Sequence, residues 1–382
     1  MPGLLVTMAQ PLLIVHVIHH LVIGGMENGV VNLINRLPRD RFRHAVVCIE
    51  DYSDFRQRIE RDDVEVHALY RSKIGAWRLR WRLLALFRRM RPDIVHTRNL
   101  SGLDALLPAR LAGVKTLHSE HGFDVDNLDG RASRPALLRR LHSPLVGHYV
   151  AVSRDLSRLM IERWGVPASR VTQIYNGVDT ERFYPTDPRR HDLLPPTLRG
   201  TELFVVGAVG RVRPIKDQST VLRAFAAVLA RRPEWRARMR LAIVGDGPLL
   251  GLLKEEAQAL GIASLVWFAG ARHDVSDLLQ AMDLFVLPSL MEGISNTLLE
   301  AMATGVPVLA TAVGGNVELL EEGVVGATFA VGDAGRLAAM IENYAGNAEL
   351  CARHGAAARQ RAVRRFSLQA MVARYQDIYE AL

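Results

Sequence analysis

LFVLPSLMEGISNTLLEAMATGVPVLA, residues 284–310, is the stretch of this 382-residue chain that decides its fold. Four apolar residues, Leu284–Leu287, read as a buried strand, and Val306–Ala310 reads as another. Between them lie a loop bearing Glu292 and a helical run that begins near Ser295–Thr297, with Glu300 in its second turn. Strand, helix and strand make a βαβ unit, which requires a parallel sheet covered on both faces. The helix start carries chemistry as well. Its free backbone N–H groups and positive dipole end suit a phosphate. Glu292 just before it and Glu300 a turn and a half inside it suit hydroxyl groups on either side of a diphosphate. The apolar Leu298, Leu299, Ala301 and Met302 around Glu300 argue against a merely solvated carboxylate.

Working outward, the same alternation recurs. Apolar runs at Leu12–Val17, Ala45–Ile49, Val64–Ala68, Ile94–Thr97, Lys115–Leu117, Tyr149–Val152, Phe204–Val209, Arg240–Val244 and Val266–Ala269 are separated mostly by helix-length segments. The rhythm breaks at Tyr184–Gly200, where Pro185, Pro188, Pro195 and Pro196 sit among charges and read as a linker. The expectation is therefore two α/β domains, residues 1–190 and 191–365, facing one another across a crevice. A closing helix over residues 366–382 is expected to pack back on the first domain. Sites in open α/β sheets form at the C-terminal ends of strands, so each domain should offer loops there.

Composition excludes several classes. With 49% hydrophobic and 23% charged residues, and Gly and Pro at ordinary levels, the chain is neither disordered nor collagenous. No run approaches the roughly 18 apolar residues of a membrane span. No Lys or Arg precedes Arg36, so no secretory signal is expected, and two cysteines, Cys48 and Cys351, suit a reducing cytoplasm. Residues 1–190 hold 29 Lys+Arg against 20 Asp+Glu, whereas residues 191–382 hold 19 against 20. Such asymmetry points to an anionic partner for the first half. Aromatics are only 6%, with no aromatic-flanked basic motif, which disfavours nucleic acid. The charge concentrates at Arg71–Arg91, with eight cations, no acid, and Trp77 and Trp81, and again at Arg131–His148. A basic amphipathic helix of this kind either lies on an anionic membrane surface or is an ordinary helix with an arginine-rich outer face.

Further motifs follow the other strands. Gly24-Gly25-Met26-Glu27 precedes the helical run Val30–Leu37, either as a plain turn or as a close backbone approach to an anion. Gly210-Arg211, with Lys216 five residues on, sets two cations after a strand as a clamp for a diphosphate. Gly245-Asp246-Gly247-Pro248 hints at a dinucleotide turn, and hence at an oxidoreductase. Pro248 and the lack of a fitting ribose-binding acid favour a structural turn instead. Glu120-His121-Gly122 follows a strand and so occupies a site position. No Asp-x-Asp stands at a strand end and no His/Asp cluster has metal spacing, so no obligatory metal is expected.

Taken in order, these motifs, with Val150-Ala151-Val152-Ser153 and Asn176-Gly177-Val178-Asp179, resemble the retaining glycosyltransferases of family 4 over essentially the whole length. Gly-Gly-Met-Glu-Asn-Gly and Glu-Gly-Ile-Ser-Asn-Thr resemble the polysaccharide-building members, including those accompanying exosortase (PEP-CTERM) systems. The resemblance implies the GT-B fold of two facing Rossmann-like domains and transfer from a nucleotide-diphosphate sugar to a saccharide acceptor, expected to be lipid-linked. It implies that Arg211 and Lys216 hold the diphosphate, with Ser295, Asn296 and Thr297 at the helix start. Glu300 would bind ribose and Glu292 the transferred sugar, while Gly25 approaches the phosphate and His121 sits at the reacting sugar. Attack on the same face, with the leaving phosphate helping to deprotonate the acceptor, would retain configuration. The implied place is the cytoplasm, with peripheral contact to the inner membrane face. Ile294-Ser295 replaces the family's frequent Phe-Gly, so sugar preference does not carry over. A GT-B nucleotide-sugar epimerase and a non-catalytic nucleotide-sugar binder stand as alternatives.

Overall fold

The computed structural model describes residues 10–122, 133–200 and 202–382. The expected basic stretch from Arg131 therefore begins outside the described residues. The chain forms two compact units, residues 1–175 with 371–382, and residues 176–370.

The first unit is built on a seven-stranded sheet: β1 (Leu12–Ile18), β2 (Phe42–Cys48), β3 (Glu65–Ala68), β4 (Ile94–Arg98), β5 (Lys115–Glu120), β6 (His148–Ala151) and β7 (Val171–Gln173), in the order β3-β2-β1-β4-β5-β6-β7. Every pairing is parallel. Val15, Val17 and Val95 bury one face against Leu79, Leu83 and Phe87 of the helix Arg71–Met90. Each such side chain contributes roughly 1.5–3 kcal/mol when fully buried. That helix breaks at Gly75, whose φ of 75° suits a residue without Cβ, and it leaves Trp77 and Trp81 69% and 58% exposed. The helix Leu368–Ala381 ends the chain. Its Tyr375 and Tyr379 rings lie on His96 of β4, and Glu380 pairs with Arg41.

The second unit carries β8 (Phe204–Val209), β9 (Met239–Val244), β10 (Val266–Gly270), β11 (Leu284–Leu287), β12 (Val308–Thr311) and β13 (Gly326–Phe329), parallel throughout in the order β10-β9-β8-β11-β12-β13. Phe225 and its neighbours on the helix Gln218–Arg231 form the core with Val206, Leu241 and Val286. In both sheets strand order reverses beside the first strand, between β1 and β4 and between β8 and β11. A doubly wound sheet opens a ligand crevice at those points, beyond the strands' C-terminal ends.

The Pro-rich segment Tyr184–Gly200 belongs to the second unit. Arg189 Nη2 donates to Gly305 O at 2.7 Å, Arg190 N to Gln280 O at 3.0 Å, and His191 Nε2 meets Asp283 Oδ2 at 2.9 Å. These bonds strap the segment to the sheet, so the chain passes between units at Tyr175–Asn176 rather than near residue 190.

Candidate active site

In the second unit the loops after β8, β9, β11 and β12 meet. A Cβ at Gly245 would stand 1.9 Å from Gly210 O, and one at Gly247 2.2 Å from Val212 O, so the loop after β9 presses its backbone onto the loop after β8. The Gly245-x-Gly247 pattern is a packing device at this turn. Likewise a Cβ at Gly314 would meet Glu292 O at 1.9 Å, and Gly315 N donates to Gly293 O at 3.1 Å. Backbone thus clamps the Glu292 loop from the side of β12. Leu290 N donates to Ile215 O at 2.8 Å and fixes the same loop to the turn that carries Lys216.

These constraints bring Lys216 and Glu292 together. The Lys216 ammonium pairs with Glu292 Oε1, and Ser289 Oγ donates to that same oxygen at 2.6 Å. Both charged groups keep some exposure, so the pair is open to a ligand. The Arg211 side chain is exposed and makes no hydrogen bond or ion pair among the described residues. Ser295 caps the helix Asn296–Ala303 by accepting from Leu298 N at 3.3 Å, and its hydroxyl meets Thr297 Oγ1 at 3.1 Å. Asn296 Oδ1 accepts from Asn176 Nδ2 at 2.8 Å. Glu300 sits a turn on, partly buried between Leu299 and Ala301. A lysine, a free guanidinium and a capped helix start at one switch point can neutralise a diphosphate. The two carboxylates there can accept from hydroxyls.

In the first unit Gly24 caps and Gly25 opens the helix Gly25–Arg36, and Glu27 folds back so closely that a Cβ on Gly24 would lie 2.1 Å from its Oε2. His121 follows β5. Its N–H donates to Asn99 Oδ1 at 2.9 Å, and Asn99 Nδ2 donates to Met26 Sδ at 3.6 Å, so one side chain joins the glycine loop to the histidine. Both ring nitrogens of His121 are buried without a hydrogen-bond partner among the described residues. Buried polar atoms are nearly always satisfied, so this ring has hydrogen-bonding capacity that no described residue uses. Burial, then the Arg98 charge, pull the imidazole down to about 3, so it is neutral near pH 7. Next to it, burial pushes the Glu120 carboxyl up, but bonds from His118 and the Arg139 charge outweigh this and hold it at about 2. Arg139 Nε donates to Glu120 Oε1 at 2.7 Å.

Of the residues expected from sequence, the structure brings Lys216 and Glu292 into contact and sets Gly25 and His121 on loops of the first unit; Ser289, Gly314, Gly315, Arg98 and Asn99, which pack against these residues or act on them, were not among the expected residues. Gly314-Gly315 after an apolar strand was a signal that could have been read, because a glycine pair there implies close backbone approach.

Known proteins resemble both units of the chain. Residues 23–182 match the model "Glycosyltransferase Family 4", and residues 203–347 match "Glycosyl transferases group 1". The D-inositol 3-phosphate glycosyltransferase of Thermobispora bispora is 32% identical over 321 residues, 78% of this chain and 73% of that one. The chain belongs to glycosyltransferase family 4. An Escherichia coli family relative, UDP-Gal:alpha-D-GlcNAc-diphosphoundecaprenol alpha-1,3-galactosyltransferase, is 28% identical over 313 residues, 77% of this chain and 78% of that one. In fold, the structure of Anabaena Alr3699/HepE in complex with UDP-glucose superposes with a TM-score of 0.83 at 24% identity, covering 97% of this chain and all of the other. The family 4 chain is a glycosyltransferase of GT-B architecture, and nothing in these relatives favours the epimerase or silent-binder readings. Among the described residues no helix is long and apolar enough to cross a membrane.

Proposed function

We propose that this family 4 enzyme moves a sugar, with retention of configuration, from a nucleotide-diphosphate donor to a lipid-linked saccharide acceptor during polysaccharide construction. The observation that carries the reading is the Lys216–Glu292 pair beside the Ser295-capped helix at the β8/β11 switch point. When a diphosphate arrives, Lys216 and Arg211 take its charge, and backbone N–H groups at Ser295, Asn296 and Thr297 add donors. Glu292, relieved of part of its pairing with Lys216, accepts from hydroxyls of the transferred sugar, while Glu300 accepts from the ribose. In the first unit Gly25 offers close backbone approach to phosphate, and the His121 ring, unpartnered among the described residues, takes a hydroxyl of the reacting sugar.

This charge complement supports transfer without an obligatory metal, since two cations and a helix dipole stand where a divalent ion would otherwise act. The activity of the Escherichia coli relative, a galactosyltransferase acting on a diphosphoundecaprenol-linked sugar, supports a lipid-linked acceptor. The arginine-rich helix with exposed Trp77 and Trp81 supports peripheral contact with an acidic membrane surface from the cytoplasmic side.

The test is incubation with a labelled panel of nucleotide sugars, with and without a lipid extract and with and without a chelator. Acceptor-dependent, chelator-resistant transfer, with the donor's anomeric configuration found in the product, is the expected result. Inverted product, or sugar turnover indifferent to acceptor, overturns it.

A further inference from the structure

Arg98, the last residue of β4, is 1% exposed and meets no carboxylate at ion-pair distance among the described residues. Its Nη2 lies 3.2 Å from His16 Nδ1 and 3.2 Å from His96 Nδ1. A guanidinium only donates, so both Nδ1 atoms accept, and the proton of each neutral ring stands on Nε2. The His96 Nε2–H then donates to Ser119 Oγ at 2.6 Å, and the His16 Nε2–H to His44 Nδ1 at 3.1 Å. Tyr379 O–H meets His96 Nδ1 at 2.7 Å from the C-terminal helix. Two imidazoles and a phenol thus solvate one cation while adding no charge, with His44 behind His16. Burying a guanidinium without its counter-ion costs several kcal/mol, which neutral dipoles offset only in part. Such a charge radiates a field that no ion pair among the described residues cancels.

That field falls on the site. Arg98 pairs in register with Ser119, two residues before His121, and the next residue, Asn99, holds the His121 N–H. We propose that Arg98 is a positioning residue for the transfer reaction: a fixed cation beneath the strand ends that adds to burial in keeping a second positive charge off the His121 ring. The inference rests on the reading that His121 faces the reacting sugar. A neutral ring can both donate to and accept from sugar hydroxyls. A protonated one would add positive charge beside a carbon that itself becomes positive as its bond to the leaving phosphate breaks. Among the described residues, the other groups around the ring do not replace Arg98 in this role. His96 and His118 are themselves imidazoles, and Glu120, which would favour a proton on His121, is occupied by Arg139 and His118. Burial works against the charge on Arg98 itself, and Tyr379, Tyr375 and then Glu27 support it.

The test is a pH titration of the full chain by NMR with isotope-labelled histidine, His121→Asn identifying the signal, run beside pH profiles of kcat/KM for the parent, Arg98→Met and Arg98→Lys. In the parent, His121 is expected to stay unprotonated down to about pH 4. In Arg98→Met both its titration and the acid limb of kcat/KM should move up by at least about one pH unit, the usual effect of one nearby charge. Arg98→Lys, which keeps the charge, should leave both in place. A folded Arg98→Met with the parental titration overturns the proposal. A parental His121 that titrates near 6.5 overturns it without any variant. Full activity in His121→Asn would instead refute the sugar-facing role of the ring, and the NMR titration would still decide what Arg98 does to it.

Discussion

Asn99 Oδ1 accepts the backbone N–H of His121 at 2.9 Å while Asn99 itself stands at φ 52°, in the left-handed region. Asn tolerates that region better than other residues with a Cβ, because its short polar side chain bonds locally. The amide nitrogen of the same side chain reaches Met26, so the loops after β1 and β5 share one strut. Strain of about 1–3 kcal/mol held at a site residue is characteristic of places where geometry serves function.

Three substitutions separate the strut from the strain. Asn99→Gly keeps the backbone and loses the bond; it should unfold within a few degrees of the parent yet lose about tenfold in kcat, since one neutral hydrogen bond is worth roughly 1 kcal/mol and its loss frees the His121 loop. Asn99→Asp keeps an acceptor and should recover most of that rate. Asn99→Ala should lose both rate and stability, because it keeps a Cβ at positive φ, a conformation costing about 1–2 kcal/mol, without the side-chain bonding by which Asn tolerates it. Parental turnover in Asn99→Gly sinks the idea.

Removing either cation of the second unit's site should weaken donor handling by roughly 2–4 kcal/mol, or about 30- to 1,000-fold in kcat/KM, the scale for a desolvated charge partner. Lys216→Ala also strands Glu292 beside Ser289, so it should be worse than Arg211→Ala, whose side chain has no internal partner among the described residues. Thermal unfolding should move little in either. A double variant with near-parental turnover removes the diphosphate assignment.

The two carboxylates should separate kinetically. Ribose is held alike in ground and transition states, so Glu300→Gln should chiefly raise donor KM, whereas Glu292→Gln should lower kcat through the reacting sugar. Identical signatures in the two variants contradict the division of labour.

What could be read from sequence was whatever a few neighbouring residues decide. The strand and helix of residues 284–303, the Ser295 cap and the glycine pair at Gly24-Gly25 all follow from local pattern, and the structure places them so. β7 and β13 escaped notice because Val171–Gln173 and Gly326–Phe329 are short edge strands without an apolar run. The unit boundary misled for a related reason. Prolines announce an irregular backbone, but Arg189 and His191, which strap that backbone to the second sheet, find their partners a hundred residues away. Arg98 was illegible for the same cause, since its meaning depends on β1, β4 and a helix whose Tyr379 lies 283 residues beyond His96.

Buried neutral histidines make the fold acid-labile in a calculable sense. Burial drives His16 and His96 well below their ordinary value and brings His44 and His121 to about 3. Unfolded, each would titrate near 6.5, so between about pH 6.5 and 3 the unfolded chain binds more protons, and stability rises with pH. Each ring should thus remove up to about 1.4 kcal/mol per pH unit as the medium is acidified below 6.5. Urea midpoints measured from pH 7.5 to 5 should fall steadily, and His44→Gln, which retires one ring at the edge of the cluster, should flatten the slope. A midpoint independent of pH over that range would show that the rings titrate alike in the folded and unfolded chain and contradict their depressed values.

The last expectation concerns the helix Arg71–Met90. Past the break at Gly75, Arg88 stands three turns beyond Trp77 and two beyond Trp81, so at 3.6 residues per turn all three project from one flank, and Arg78, Arg82 and Arg89 line the adjoining one. None of these four arginines shares a salt bridge among the described residues, in contrast to Arg71 and Arg80, which both pair with Asp104. Near an acidic leaflet each such cation contributes about 1 kcal/mol, and tryptophan favours the headgroup layer. Several together hold a protein reversibly, and salt should release it, because the attraction fades within about 10 Å at 0.1 M. Liposome co-sedimentation should therefore show binding that requires anionic lipid, weakens from low to high salt, and drops when Arg88, Arg89 and Arg91 become Gln. Replacing Trp77 and Trp81 with Ala should lower binding at every salt concentration, since insertion of the rings is not an ionic effect. Equal sedimentation with neutral vesicles, or none with either, would falsify membrane docking and leave donor chemistry untouched, because Lys216 and Glu292 belong to the other unit.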